Sequence, residues 1–172
     1  MPDPVADEGF LVLGIDPGSR VTGYGLVREV SGQALLVEAG TISTGALKDL
    51  GQRLGRINAG IAALVAKFSP DAAAVENVFV SRNVMSALKL GQARGAAIAA
   101  CAVAEVPVAT YEPTVVKKNL VGVGNAAKSQ VAWMVAHSLG MKNPGWAEDA
   151  SDALAVALCH LNQRRFNKLA GK

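Results

Sequence analysis

The 172-residue chain has few of the features that mark secreted, membrane-spanning or disulfide-stabilised proteins. Its only cysteines, Cys101 and Cys159, each lie in an apolar stretch, so we expect buried reduced thiols rather than a disulfide or a metal-binding pair. No run of about 18 apolar residues lacks a charge or a break, which argues against a membrane-spanning helix. The first nine residues are acidic and contain proline, unlike a cleavable leader, and we therefore expect a cytoplasmic protein.

Charge of neither sign dominates, because the net charge is only +3 and the pI is about 9.0. The positive residues are nevertheless clustered between Arg82 and Arg94, between Lys117 and Lys128, and near the C-terminus. Separated basic clusters are typical of a surface that binds a polyanion. The length fits one domain, which we place at residues 10–166, with a disordered extension at 1–9 and a basic tail at 167–172.

Apolar patterning predicts strands and helices in a defined order. Three strands come first, with turn residues between them, and two further strands alternate with helices. The predicted strands are 10–18, 21–30, 34–44, 71–79 and 106–111, and the predicted helices are 47–68, 83–104, a short turn after 113, 126–139 and 146–166. This order predicts an α/β fold in which helices cover both faces of a mixed five-stranded sheet.

Four carboxylates stand at the ends of otherwise apolar elements. Asp16 ends the first strand, Glu76 ends the apolar part of the fourth, and Asp149 and Asp152 are three residues apart at the start of the last helix. If the first and fourth strands pair in parallel, Asp16 and Glu76 become neighbours, while the i, i+3 spacing places Asp149 and Asp152 on one helix face. We therefore expect the four carboxylates to converge on one cavity.

Clustered carboxylates are costly to bury unless a cation neutralises them. Hard oxygen ligands suit Mg²⁺ or Mn²⁺, and two such ions about 4 Å apart can activate water and stabilise the leaving oxygen in phosphodiester hydrolysis. Each acid also has a structural interpretation, since Asp16 precedes Pro-Gly in a turn and Asp149 can interact with the helix dipole. Glu76 is harder to explain structurally, because it follows a strand too apolar for an unpaired carboxylate.

Five segments in order resemble the RuvC family of bacterial Holliday junction resolvases, over nearly the whole chain. These segments are GIDPGSRVTGYG (14–25), AVENVF (74–79), SALKLGQARG (86–95), VGVGNAAKSQV (121–131) and EDASDALAVA (148–157). A strand that ends in Asp-x-Gly is shared by ribonuclease H-like and actin-like folds, so one segment alone is modest evidence. All five in order are highly specific.

The resemblance implies a ribonuclease H-like fold and a homodimer that makes paired, symmetric nicks in four-way DNA junctions. Asp16, Glu76, Asp149 and Asp152 match the family's catalytic carboxylates, which would hold two Mg²⁺ or Mn²⁺ ions per active site. Lys117 and Lys128 match lysines near the scissile phosphate. The RuvA–RuvB branch-migration complex is the expected partner.

The resemblance also suggests residues that contact DNA. Phe79 matches an aromatic residue that stacks on junction bases. The other expected DNA contacts are Arg82, Asn83, Ser86, Lys89, Lys117, Lys118 and Lys128, and either lysine of the Lys117-Lys118 pair could act at the scissile phosphate. His137 and His160 have no partner motif, and Trp133 and Trp146 are expected to pack helices.

The helix predicted at 83–104 is the expected dimer interface, because Gly91 and Gly95 allow close helix contact. A two-fold symmetric dimer would present two identical sites to the opposed strands of a junction. Three alternatives remain. They are an actin-like ATPase, for which 172 residues leave no room for a second lobe, a RuvC-related RNA-processing nuclease, and a non-catalytic junction-binding module.

Overall fold

The computed structural model describes residues 9–77 and 83–171, and its element order is the predicted one. The elements are β1 (Phe10–Asp16), β2 (Val21–Val30), β3 (Gln33–Ser43), α1 (Leu50–Phe68), β4 (Ala72–Glu76), α2 (Val84–Val103), β5 (Val108–Tyr111), α3 (Pro113–Val121), α4 (Lys128–Ser138) and α5 (Glu148–Leu169). No helix in the described ranges is long and apolar enough to cross a membrane.

The five strands form one mixed sheet in the order β3-β2-β1-β4-β5. The first three strands pair as an antiparallel meander, whereas β4 and β5 add in parallel to β1. In the β1–β4 register Ile15 is opposite Val75, so Asp16 and Glu76 follow at the same edge of the sheet. The predicted proximity of these two acids is therefore confirmed.

Alternate residues of β1 enter two separate hydrophobic cores. Leu11 and Ile15 pack with α1 and α2 on one face, whereas Val12 packs with α3, α4 and α5 on the other. This alternation follows from the period of two along a strand, and it confirms that helices cover both faces. Cys101 and Cys159 are buried free thiols, one in each core.

Helix α5 lies directly on the sheet because the strands beneath it carry glycines. A Cβ atom at Gly23 would collide with the carbonyl oxygen of Asp149, and one at Gly14 would collide with that of Ala153. On the helix side, Ala150 and Ser151 are small and buried. This close approach brings the first turn of α5 to the carboxyl end of β1, where Asp16 lies.

Several element ends differ from the sequence prediction for local reasons. Helix α1 begins at Leu50 rather than residue 47, because the Asp49 side chain accepts a hydrogen bond from the Gln52 backbone and caps the helix. The expected turn after Pro113 is a nine-residue helix. Helix α5 continues to Leu169, beyond the domain boundary that we expected at residue 166.

Candidate active site

The four predicted carboxylates line one open cavity of about 270 Å³. They reach it from three elements, since Asp16 ends β1, Glu76 ends β4, and Asp149 and Asp152 lie in the first turns of α5. Lys117 of α3 and Lys128 of α4 also line the cavity, over an apolar floor. The structure therefore brings together residues that are as far apart as 136 positions in the chain.

Asp16 carries the largest electrostatic perturbation of the four carboxylates. Burial, followed by repulsion from Glu76, Asp152 and Asp149, raises the pKa of Asp16 to about 8. Burial and repulsion from Asp152 also raise the pKa of Glu76, although a hydrogen bond with Asp16 opposes the shift. These carboxylates are therefore held in a pocket that disfavours their combined negative charge.

Lys128 is the cation most closely engaged with the acids. Its Nζ donates to Glu148 Oε1 at 2.6 Å and to Asp152 Oδ2 at 3.2 Å, and these contacts raise the lysine pKa. Burial raises the pKa of Asp152, whereas Lys128 counteracts the rise. Lys128 therefore offsets part of the repulsion at the start of α5.

Lys117 lies near Glu76, and its positive charge opposes the rise in the pKa of that carboxyl. It lies on α3, whose N-cap residue Glu112 accepts a hydrogen bond from the Asn77 side chain at 2.5 Å. The Asn77 backbone also donates to Tyr111 at 2.7 Å. These bonds fix the end of β4 relative to α3, and thus Glu76 relative to Lys117.

The donor set suits a hard divalent cation, because every acid that lines the cavity offers carboxylate oxygens. Within residues 9–77 and 83–171, no three or more carboxylate, imidazole or thiolate side chains are close enough to form a ready-made ligand cluster. The acids thus share a cavity and interact electrostatically without forming a complete metal cage. Small side-chain movements would be needed for common ligation.

The expected DNA contacts are distributed around the start of α2 and on α3. Asn83 is the N-cap of α2, and its side chain accepts a hydrogen bond from the Ser86 backbone at 3.1 Å. Lys89 lines a separate cleft with Lys48 and Arg53. Lys118 is exposed on α3 and does not line the carboxylate cavity, unlike Lys117. Phe79 and Arg82 lie outside the described residues.

Neither histidine lines the cavity. His160 bonds to the Tyr111 hydroxyl at 2.8 Å and stacks against Phe10, whereas His137 stacks on Trp133. Trp146 packs against the core as expected. Trp133 differs from the expectation of a residue buried between helices, because 63% of its surface is exposed, and its ring stacks on His137 of the same helix.

Sequence reasoning missed Glu148 as a member of the site. The Glu148 carboxylate binds the ammonium group of Lys128 and competes for it with Asp152. The only sequence signal was its position immediately before Asp149, and an exposed glutamate at a helix start is common. Its partner could not be identified, because Lys128 is 20 residues away on another helix.

Comparison with known proteins identifies the family. Residues 12–160 match the model of the family "Crossover junction endodeoxyribonuclease RuvC". The RuvC of Solidesulfovibrio magneticus is 58% identical over 161 residues, which cover 94% of this chain and 95% of that protein. The RuvC of Oleidesulfovibrio alaskensis is 55% identical, over 95% of this chain and 97% of that protein.

Solved structures agree with the sequence comparison. Thermus thermophilus RuvC in complex with Holliday junction substrate has a TM-score of 0.86 and 39% identity, and the match covers 92% of this chain and 96% of that chain. This similarity also identifies the mixed sheet as a ribonuclease H-like fold. The match extends across both the fold and the carboxylate cavity, and the chain belongs to the crossover junction endodeoxyribonuclease RuvC family.

Proposed function

We propose that this protein is a metal-dependent endonuclease that resolves four-way DNA junctions by paired, symmetric nicks during recombination and repair. The observation that carries this proposal is the single cavity in which four carboxylates meet Lys117 and Lys128. A phosphodiester is itself negatively charged, so four carboxylates would repel it. The two lysines in the same cavity supply positive charge that offsets this repulsion. The relative solved with a Holliday junction supports the choice of substrate.

Asp16, Glu76, Asp149 and Asp152 would hold two Mg²⁺ or Mn²⁺ ions. Such ions, when bound, supply an activated water and stabilise the leaving oxygen. The raised pKa values of Asp16 and Glu76 fit this assignment, because a site that disfavours clustered negative charge gains most from a bound cation. No protein nucleophile is required.

Lys117 and Lys128 would contact the scissile phosphate. Both line the cavity, and an ammonium group there neutralises a phosphate oxygen as charge develops. The charge of Lys128 also opposes the rise in the pKa of Asp152 that burial causes. A phosphate that binds Lys128 would compete with Glu148, whose bond to the lysine is exposed to solvent.

Dimerisation through α2 would provide the second active site. Val84 and Leu88 are 74% and 53% exposed, and Gly91 and Gly95 continue the same helix face with open space above them. The spacing of four, three and four residues matches one face of a helix. An exposed stripe of apolar and small side chains can pack against its own symmetry copy, and a two-fold axis would then relate two cavities.

The remaining DNA contacts surround this arrangement. Phe79 would stack on a junction base, and the proposed backbone contacts are Arg82, Asn83, Ser86, Lys89 and Lys118. We place the protein in the cytoplasm, acting with a RuvA–RuvB branch-migration complex. Asn83 and Ser86 would combine DNA contact with capping of α2.

The test is cleavage of a synthetic four-way junction, with a linear duplex of the same sequence and a structured RNA as controls. Purified protein should make paired nicks in the junction with Mg²⁺ or Mn²⁺ and none with chelator. Equal cleavage of linear duplex, or preference for the RNA, would contradict the proposal. Sedimentation at the same protein concentrations should give a dimer, and Leu88→Glu should give a monomer that loses paired nicking.

A further inference from the structure

Helix α4 exposes an aromatic side chain beside the active site. The indole of Trp133 is 63% exposed and lies parallel to the His137 ring, with 5.0 Å between ring centroids and 6° between planes. Among the described residues, only Phe166 is an aromatic side chain of similar exposure, at 64%. The opposite face of α4 supplies the buried contacts through Val131 and Val135, so Trp133 is not part of the buried face of this helix.

Trp133 forms a ridge between two clefts. A cleft of about 350 Å³ separates it from the end of α3, where Val121 lies, and Gln130 and Met134 complete its walls. A second cleft of about 240 Å³ lies on the side of His137 and contains Lys142. A planar group could therefore pack against the indole from the first cleft while Lys142 reaches an anion across the second.

The chain segment that carries this ridge contains no acidic residue. Residues 113–147 include Lys117, Lys118, Lys128 and Lys142 but neither aspartate nor glutamate. The bordering acids are engaged, since Glu112 accepts from Asn77 and Glu148 binds Lys128. In the described part of the chain, Lys118 and Lys142 have no ion pair. Lys118, Lys142 and an exposed indole are complementary to a nucleic acid strand, which offers phosphates and planar bases.

The surface is also continuous with the catalytic cavity. Lys128 lines that cavity, and the next residues, Ser129 and Gln130, line the cleft beside Trp133. Lys128 and Trp133 are five positions apart on α4, which corresponds to about 7.5 Å along the helix axis.

We infer that the α3–α4 surface binds the DNA strand as it leaves the catalytic cavity, with a nucleotide packed against Trp133 and a phosphate held by Lys142. This inference rests on the proposed function, because it takes DNA as the substrate. The shared chemistry is that of a nucleotide, which an unpaired base or the deoxyribose of a duplex arm could provide. The indole stabilises the strand by contact, and it positions the substrate rather than reacting with it.

Fluorescence provides a test that does not require cleavage. Trp146→Phe leaves Trp133 as the only tryptophan, and the junction is added in chelator so that no strand is cut. Indole emission should fall on binding and become shielded from acrylamide. Polyglutamate, a polyanion without bases or sugars, should leave the emission unchanged. Single-stranded and duplex oligonucleotides in parallel distinguish base stacking from contact with deoxyribose, since only stacking requires the unpaired strand.

Affinity measurements test the same surface. Trp133→Ala should weaken junction binding about five- to tenfold, within the range of base–aromatic stacking, and Trp133→Phe should recover most of it. Lys142→Glu should lower the salt dependence of log Kd by about one. Phe166→Ala is the matched control, because it removes an equally exposed aromatic from the far end of α5 and should change binding less than twofold.

The outcomes separate this inference from the proposed function. If wild-type protein binds and cuts the junction while Trp133→Ala binds equally well and Trp133 emission does not change, the inference is wrong and the proposed function stands. If wild-type protein neither binds nor cuts the junction, both are wrong. Circular dichroism melting should match wild type for Trp133→Ala, and a melting temperature lowered by more than about 5 °C together with unchanged emission would indicate a structural role instead.

Discussion

The two ends of the sheet differ in how far their acidic side chains are neutralised by cations, and α5 contacts both ends. At the amino end of β1, Glu29 is paired with Arg164 at 3.7 Å and with Arg165 at 2.9 Å, and Arg164 also lies over the Phe10 ring. At the carboxyl end, Asp16 shares its cavity with three further acids and two lysines. At the first end, one acid is paired with two cations, whereas at the second end four acids and only two lysines line the same cavity.

This difference shows that the unfavourable negative charge lies at the carboxyl end of β1 and not at its amino end. The arginines near the end of α5 compensate Glu29 and attach the helix to the sheet, which is a structural use of an ion pair. At the carboxyl end of β1, burial, followed by repulsion from Glu76 and from the acids of α5, raises the pKa of Asp16 to about 8. Perturbed carboxylates in a cleft indicate a functional site, because folding alone would select against them. Mutations at the two ends should therefore have different effects.

The largest expected effect is the loss of cutting when a carboxylate at the site is neutralised. Asp152→Asn should lower junction cleavage by at least about 10³-fold, because it removes a proposed cation ligand. Junction affinity measured in chelator should stay within about threefold of wild type, since binding depends on the basic surface. Equal loss of binding and cutting would contradict this separation of roles.

Removal of Lys128 should have a smaller effect on the same activity. Lys128→Ala should lower the cleavage rate by about 10²-fold, through loss of phosphate neutralisation and of its contact with Asp152. Lys128→Arg should restore part of the rate, because it keeps the charge. Single-turnover kinetics with saturating protein measure this change, and an unaltered rate for Lys128→Ala would exclude a role at the scissile phosphate.

At the opposite end of the sheet, Glu29→Gln should reduce stability and leave the chemistry intact. The Glu29 side chain is only 12% exposed, and its loss of charge leaves two arginines without their partner. We expect the free energy of unfolding to fall by about 1–3 kcal/mol, as for a lost charged hydrogen bond. Denaturant melts measure this loss, and a cleavage rate more than threefold lower at a temperature where the variant is folded would refute the contrast between the two ends.

Neutralisation of Asp16 should do the reverse and stabilise the fold. The folded pKa is about 8 against an ordinary value of 3.8, so the folded state binds this proton more tightly and stability decreases as pH rises between these values. Asp16→Asn removes that dependence. In chelator its melting temperature should exceed that of wild type by roughly 4 °C at pH 8 and by little at pH 4.

A melting temperature of Asp16→Asn equal to wild type at both pH values would show that the cavity does not strain its carboxylates. The same variant should be inactive in cleavage with Mg²⁺ or Mn²⁺. Stabilisation together with inactivity would be the behaviour of a residue kept for function rather than for folding.

Many of the secondary-structure elements and the four acids of the candidate site could be predicted from the sequence. A continuous apolar run closed by Pro17 and Gly18 predicted β1, and the helical spacing of apolar residues predicted α1, because both patterns reflect which side chains reach a core. Asp16, Glu76, Asp149 and Asp152 stood out as acids at the ends of apolar segments, and five motifs resembled one family. Such signals are local, so they are present in the order of residues alone.

The tertiary structure decided what depends on distance between segments far apart in the chain. Lys128 binds Glu148 and Asp152 only because α4 packs beside the start of α5, and no local pattern encodes that contact. The raised pKa of Asp16 likewise arises from burial and from three acids on other elements. The exposure of Trp133 was also misjudged, because its burial depends on whether another element covers that face of α4, and none does within the described residues. The sequence by itself determined which chemical groups this protein carries and in which elements they lie. Only the packing of those elements decided the pKa values, the ionic partners and the exposure of these groups, because each depends on residues far away in the chain.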